Sequence, residues 1–209
     1  MLAAVGTPEV SIYDDDIVAI ENLGPQAYFQ QDINIPKVVA TKELMRLVNP
    51  DITCTAKQDR FKRSTEFKVK DGRQLCVFCC VDDIEVRKLL WERLKDQIDF
   101  WVDGRMSAEI YEVLSVNTPR EEKALAKIKT ENLFTTFREI KYKPYEDTFF
   151  AKNEAFPVSC TAKSTVFTAN ICAGNMIQPW SMYLRGVSTE DELDAIESHK
   201  VLMKAAKAE

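Results

Sequence analysis

Short apolar runs alternate along this chain with longer segments of helical period. Val10, Ile12 and Tyr13 read as a buried strand, and a helix is expected over residues 36–48, with Pro36 at its first turn and Val39, Leu44 and Leu47 along it. Asn49-Pro50 stops that helix. Residues 52–61 form a second expected strand, and residues 75–81 are a continuous apolar run of the kind found at a sheet centre. Asp83 can cap a helix over residues 84–97, whose Leu90 and Leu94 share a face. Residues 100–102 and 110–116 read as further strands. Beyond Pro119 a charged helix carries Leu125 and Ile128, and an irregular aromatic segment covers residues 141–159. A last helix opens on the capping box Thr189-Glu190-Asp191-Glu192. Strand and helix in alternation predict an α/β fold, a mostly parallel sheet flanked by helices.

Composition narrows the function classes. With 45% hydrophobic and 29% charged residues over 209 positions, the chain reads as an ordered soluble protein. Its formal charge of −5 offers no basic footprint for nucleic acid and disfavours an anionic membrane surface. The uncharged stretch 164–184 is long enough to span a bilayer, but Asn170, Asn175, Gln178 and Pro179 would be costly in lipid. A helix buried in protein or at a subunit interface is expected there. The six cysteines, Cys54, Cys76, Cys79, Cys80, Cys160 and Cys172, have no disulfide-framework spacing, and no structural zinc is expected. Cys76, Cys79 and Cys80 fall in an apolar strand, where thiols act as small hydrophobes. A reducing, cytoplasmic location follows. The single histidine, His199, shares a helical face with Leu193, Ile196 and Met203, which leaves no histidine for a catalytic triad. Trp91, Trp101 and Trp180 read as core or interface anchors.

The chemistry concentrates at the end of the first strand. Asp14-Asp15-Asp16 follow it directly, and an acid at that place in an α/β sheet grips a ribose hydroxyl. Asn22 and Gln26, Ile35-Pro36-Lys37 and Val81-Asp82-Asp83 then follow in order. Together these motifs resemble the ThiF/MoeB/HesA superfamily, the ubiquitin-activating type of adenylating enzyme, including uncharacterised and phage-type ThiF-like proteins. The resemblance covers residues 2–186. It implies a Rossmann-like adenylation domain over 1–188, an antiparallel C-terminal extension of its sheet, and a C-terminal helix over 189–209.

That likeness also implies roles. Asp14 and Asp16 match the acids that hold ribose, with Asn22 and Gln26 beside them. Lys37 matches the lysine that neutralises ATP phosphates, a role suited to a compact charge with three donors. Asp82 ends the apolar strand at the carboxyl edge and is the implied Mg²⁺ or adenylate contact; Arg87, one turn into the next helix, matches a family arginine. Cys160 stands where superfamily members carry a cysteine for thioester or persulfide chemistry, a helix N-terminus that lowers a thiol pKa. The implied reaction is ATP- and Mg²⁺-dependent adenylation of the C-terminal carboxylate of a ubiquitin-fold or sulfur-carrier protein, by a homodimer. A non-catalytic partner subunit and an NAD-binding oxidoreductase are the alternatives.

Two positions depart from the pattern. Pro25 stands where the family often has an arginine before the motif glutamine. A nucleotide-binding unit normally opens with a strand, a glycine-rich turn and a helix, and no such motif precedes Asp14. Leu2-Ala3-Ala4-Val5-Gly6 reads as the tail of that helix, ended by Gly6. The first strand and most of the first helix are therefore expected to be absent, as in a gene fragment or a misplaced start codon, with weak stability as the consequence.

Overall fold

In the computed structural model, residues 1–24, 26–65, 72–107, 110–117, 142–149, 165–186 and 196–202 are described. The chain runs β1 (Glu9–Tyr13), α1 (Lys37–Val48), β2 (Thr53–Lys57), β3 (Cys76–Cys79), α2 (Ile84–Leu94), β4 (Phe100–Ser107) and β5 (Ile110–Asn117). A short helix α3 (Lys143–Glu146), a long helix α4 (Val166–Leu184) and β6 (Ile196–Leu202) follow. The architecture is α/β, as the alternation predicts.

The strands form two sheets. β1 and β2 pair in parallel, with α1 as the crossover packed on β2. The second sheet has the order β3-β4-β5-β6, with β3 parallel to β4 and the last two pairings antiparallel. The antiparallel extension is thus present. β3 does not occupy a sheet centre; it lies at the edge of the four-stranded sheet, and its side chains are mostly half-buried. An ion pair of 2.5 Å between Arg73 and Glu9 ties the approach to β3 to the start of β1.

Residues 2–7 close in a Schellman motif. Gly6 N–H donates to Ala3 O at 3.2 Å and Thr7 N–H to Leu2 O at 3.1 Å, with Gly6 at φ +81°. A side chain at that φ would be strained, which is why glycine ends the turn.

Alternation along β4 and β5 sorts their side chains onto two faces. Trp101, Leu114 and Val116 join Trp91, Leu90, Leu94, Tyr142 and Tyr145 under α2 and α3. Trp91 is fully buried and meets the rings of Trp101, Tyr142 and Tyr145 edge-on at 5.4, 5.3 and 4.7 Å. Each such pair adds about 0.5–1.5 kcal/mol beyond burial. On the opposite face Phe100, Val102, Tyr111 and Val113 pack against Cys172, Met176 and Trp180 of α4. All three tryptophans are core residues. Gly104 permits the approach of α4, since a Cβ there would lie 2.5 Å from Met176 Sδ. Among the described residues no helix is long and apolar enough to cross a membrane.

Local signals set the element ends. Pro36 precedes α1 and Asn49, at φ −141°, leaves it. Asp83 caps α2, accepting from Glu85 N–H at 2.8 Å and Val86 N–H at 3.4 Å. Two expectations are corrected. α1 buries Lys37, Val38 and Ala40, whereas Val39, Leu44 and Leu47 stay exposed, because the face turned to β2 is the one beginning at its first turn. The C-terminal helix is overturned over Ile196–Leu202, which pairs with β5 in the register Val113↔His199. The free edge of β5 offers a ladder of N–H and C=O groups, and pairing with it outweighs the local helical pattern. The Leu193–Ile196–His199 helical face goes with it. The expected helix carrying Leu125 and Ile128, and the capping box at 189–192, lie outside the described residues.

Candidate nucleotide site

Backbone pairing brings the acids after β1 to the start of α1. Val18 N–H donates to Ile35 O at 2.9 Å, Asn34 N–H to Val18 O at 2.9 Å and Lys37 N–H to Asp16 O at 3.0 Å. These bonds return the chain from its excursion through residues 19–34 to the acidic end of β1. Val18, 1% exposed, anchors the return. The lysine therefore arrives already aligned with the acids.

The side chains meet at that junction. Lys37 Nζ donates to Asp16 Oδ2 at 2.7 Å, while Asp14 Oδ1 accepts from Asp16 N–H at 2.9 Å. Lys37 is buried and Asp16 exposed, so the ammonium reaches the surface through its carboxylate partner. Burial alone would lower the Lys37 pKa, but the Asp16 hydrogen bond and the nearby Asp14 charge outweigh it and hold it above the ordinary value. Burial pushes the Asp14 carboxyl up, partly offset by the Asp16 N–H and Lys37. Tyr28, whose hydroxyl lies 3.2 Å from Thr41 Oγ1, is raised by burial as well.

Asn22 acts locally, its Oδ1 accepting from Ala19 N–H at 2.8 Å and closing the helical turn Ile20–Asn22. Gln26 is exposed, and its N–H donates to Asn22 O at 3.1 Å. Pro25 and Cys160 lie outside the described residues. Asp82 is exposed immediately beyond β3. Arg87, by contrast, points inward, 4% exposed and bonded through Nε to Asp103 Oδ1 at 2.7 Å.

Sequence reading missed Arg60 and Asp103. Arg60, in the turn after β2, donates from Nε to Asp15 Oδ2 at 2.8 Å. That bond, and more weakly the charges of Asp16 and Asp82, raise its pKa. A cation just past a strand's carboxyl end was the available signal. Asp103 had none: only the fold shows it wholly buried between two arginines.

The donor set suits a nucleotide with a divalent cation. Exposed carboxylates that accept only can take hydroxyl donors, and an ammonium beside them can meet phosphate oxygens. Asp82 offers the single protein carboxylate with which Mg²⁺ is commonly held beside phosphates. Among the described residues the one grouping of three metal-capable side chains is Asp14, Asp15 and Asp16, which does not include Asp82. For zinc, Cys76 and Cys79 stand in a C-x-x-C spacing that the expectation of no structural zinc passed over. On β3 those positions face opposite ways, Cys79 into the cluster under α2 and Cys76 into that under α4, so the two thiols do not converge.

A model of the ThiF family matches residues 1–199. The chain is 35% identical over 89 residues to adenylyltransferase and sulfurtransferase UBA4 of Yarrowia lipolytica, covering 43% of this chain and 22% of that protein. It is 32% identical over 90 residues to the SAMP-activating enzyme E1 of Haloferax volcanii, covering 43% and 33%. The matches thus span a third or less of those relatives' length. Among solved structures, Escherichia coli MccB with AMPCPP and MccA superposes with a TM-score of 0.61 at 13% identity, over 99% of this chain and 60% of that one. The tRNA N6-threonylcarbamoyladenosine dehydratase TcdA of Escherichia coli gives 0.52 at 17% identity, over 88% and 80%.

Proposed function

The chain belongs to the ThiF family, and from that premise we propose that it is the nucleotide-handling part of an enzyme that adenylates the C-terminal carboxylate of a ubiquitin-fold or sulfur-carrier protein. The observation that carries the reading is the seating of Lys37 on Asp16 beside Asp14, at the carboxyl end of a parallel strand. Asp14 and Asp16 accept from the ribose hydroxyls. Lys37 turns from Asp16 to the phosphate oxygens, its charge secured by the neighbouring acids. Gln26 is presented to the nucleotide on a loop that Asn22 closes.

In the reaction a carboxylate oxygen of the carrier attacks the α-phosphorus of ATP. The bond to the β-phosphate oxygen breaks, and pyrophosphate leaves with the electron pair. Asp82 would hold Mg²⁺, which would supply charge neutralisation on the phosphates. Lys37 stabilises the charge that gathers on the departing pyrophosphate. Transfer of the acyl group to Cys160, releasing AMP, belongs to the same proposal. So does the homodimer, supported by Val166, Phe167 and Ile171, which α4 leaves exposed. A cytoplasmic location fits the free thiols.

The test is ATP–pyrophosphate exchange with a glycine-terminated ubiquitin-fold carrier. Exchange that Asp82→Ala abolishes, with the fold intact, is expected. Failure to bind ATP at all overturns the reading. ATP and carrier binding without AMP formation would instead make this a non-catalytic partner subunit.

A further inference from the structure

Arg87 is a buried cation held by several partners at once. Its Nε donates to Asp103 Oδ1 at 2.7 Å, and its Nη2 donates to the carbonyl oxygen of Val81 and, at 3.5 Å, to that of Gly104. Its backbone N–H also donates to Asp83 O at 3.0 Å. One residue thus touches both flanks of Asp82: Val81 before it and Asp83 after it. Asp83 in turn caps α2, so the turn leaving β3 is fixed from the helix side as well. Asp103 is completely buried and is itself held in place, accepting from Arg105 Nε at 2.8 Å and Tyr145 O–H at 3.0 Å.

Asp82 itself is exposed, in the turn three residues past a strand on the sheet edge. A carboxylate in that position is held in one orientation only if its backbone is. We propose that Arg87 is a positioning residue, anchored on Asp103, that brackets residues 81–83 and thereby aims the Asp82 carboxylate at a divalent cation. The inference rests on the metal role given to Asp82 above, and it moves Arg87 from nucleotide contact to support. Only a planar guanidinium serves, because its separate N–H groups reach a carboxylate and two carbonyls at once; a lysine ammonium supplies the charge to Asp103 but loses the Val81 side of the bracket, the backbone bond to Asp83 remaining. Groups that orient a metal ligand without touching the metal commonly change its affinity by about 10–100-fold when removed.

Equilibrium dialysis of radiolabelled ATP across a Mg²⁺ titration tests this on the unsubstituted protein, Arg87→Lys and Arg105→Lys. Arg87→Lys should raise the half-saturating Mg²⁺ concentration about tenfold or more while leaving ATP affinity in EDTA unchanged. Arg105→Lys perturbs the same buried acid without touching the Val81 carbonyl, and should lower stability with an unmoved Mg²⁺ midpoint. A merely structural role would shift both variants alike or neither, and that overturns the proposal. Should Arg87→Lys fail to fold, ¹⁵N relaxation of the unsubstituted protein decides. Asp82 and Asp83 backbones that are rigid before Mg²⁺ and ATP are added support a bracket formed in advance; mobile ones that stiffen only with ligand refute it. An unsubstituted protein that binds no ATP refutes the nucleotide reading instead, and the relaxation data still judge the bracket.

Discussion

Replacing Asp103 by asparagine should be among the most damaging conservative changes in this chain. The carboxylate is 0% exposed, and it faces Arg87 and Arg105, whose side chains are 5% and 13% exposed. Asparagine keeps the shape but removes the charge, leaving two guanidinium groups against a neutral amide. Removing one partner of a buried ion pair costs about 3–5 kcal/mol, because the remaining charge has lost its compensation. Tyr145→Phe deletes a single hydrogen bond to the same carboxylate, worth about 1.5–3 kcal/mol. The expected order is therefore parent, then Tyr145→Phe, then Asp103→Asn. Urea unfolding followed by tryptophan fluorescence reads this directly, since Trp91 and Trp101 pack against Tyr145. With a urea slope of about 2 kcal/mol/M, the Asp103→Asn midpoint should fall by roughly 1.5–2.5 M. A variant within about 1 kcal/mol of the parent, or less affected than Tyr145→Phe, refutes the reasoning.

Gly104→Ala should destabilise by about 1–3 kcal/mol through overpacking against Met176, and Met176→Ala in the same chain should recover part of the loss, as denaturant melts would show. Asp14 has a folded-state pKa raised above its ordinary 3.8, so its contribution to stability is present below that value and lost as the pH climbs through the raised one. Asp14→Asn should accordingly be at least as stable as the parent at neutral pH and should steepen the acid limb of the midpoint-against-pH curve. Burial pushes the Cys76 and Cys172 thiols up to about 11. Both should react with a disulfide reagent at pH 8 only after unfolding, which a cysteine-resolved labelling time course measures.

The legible parts of this fold were those written locally. Pro36 and Asn49 mark α1, Asp83 carries the cap of α2, and Gly6 its turn, because each acts on backbone within a few residues. The acids and Lys37 could be named from their order along the chain, but their meeting depends on the pairing of residues 16–18 with 34–37. What stayed hidden depends on distant partners. Arg87 and Asp103 are ordinary charges until α2 packs on β4. The edge position of β3 follows from how strands pair, and its apolar run alone could not tell edge from centre. At Ile196–Leu202 a helical pattern yields to the open edge of β5, a competitor that no local window contains.

The nucleotide reading stands on Lys37, held on Asp16, meeting the phosphates of a bound nucleoside triphosphate. Calorimetry of ATP and AMP binding to the protein and to its Lys37→Met variant isolates that contact. Lys37→Met is expected to weaken ATP at least about tenfold and barely change AMP, since losing a charge-assisted contact of about 1.5–3 kcal/mol falls on the terminal phosphates. Equal loss for both nucleotides, or none for either, contradicts it.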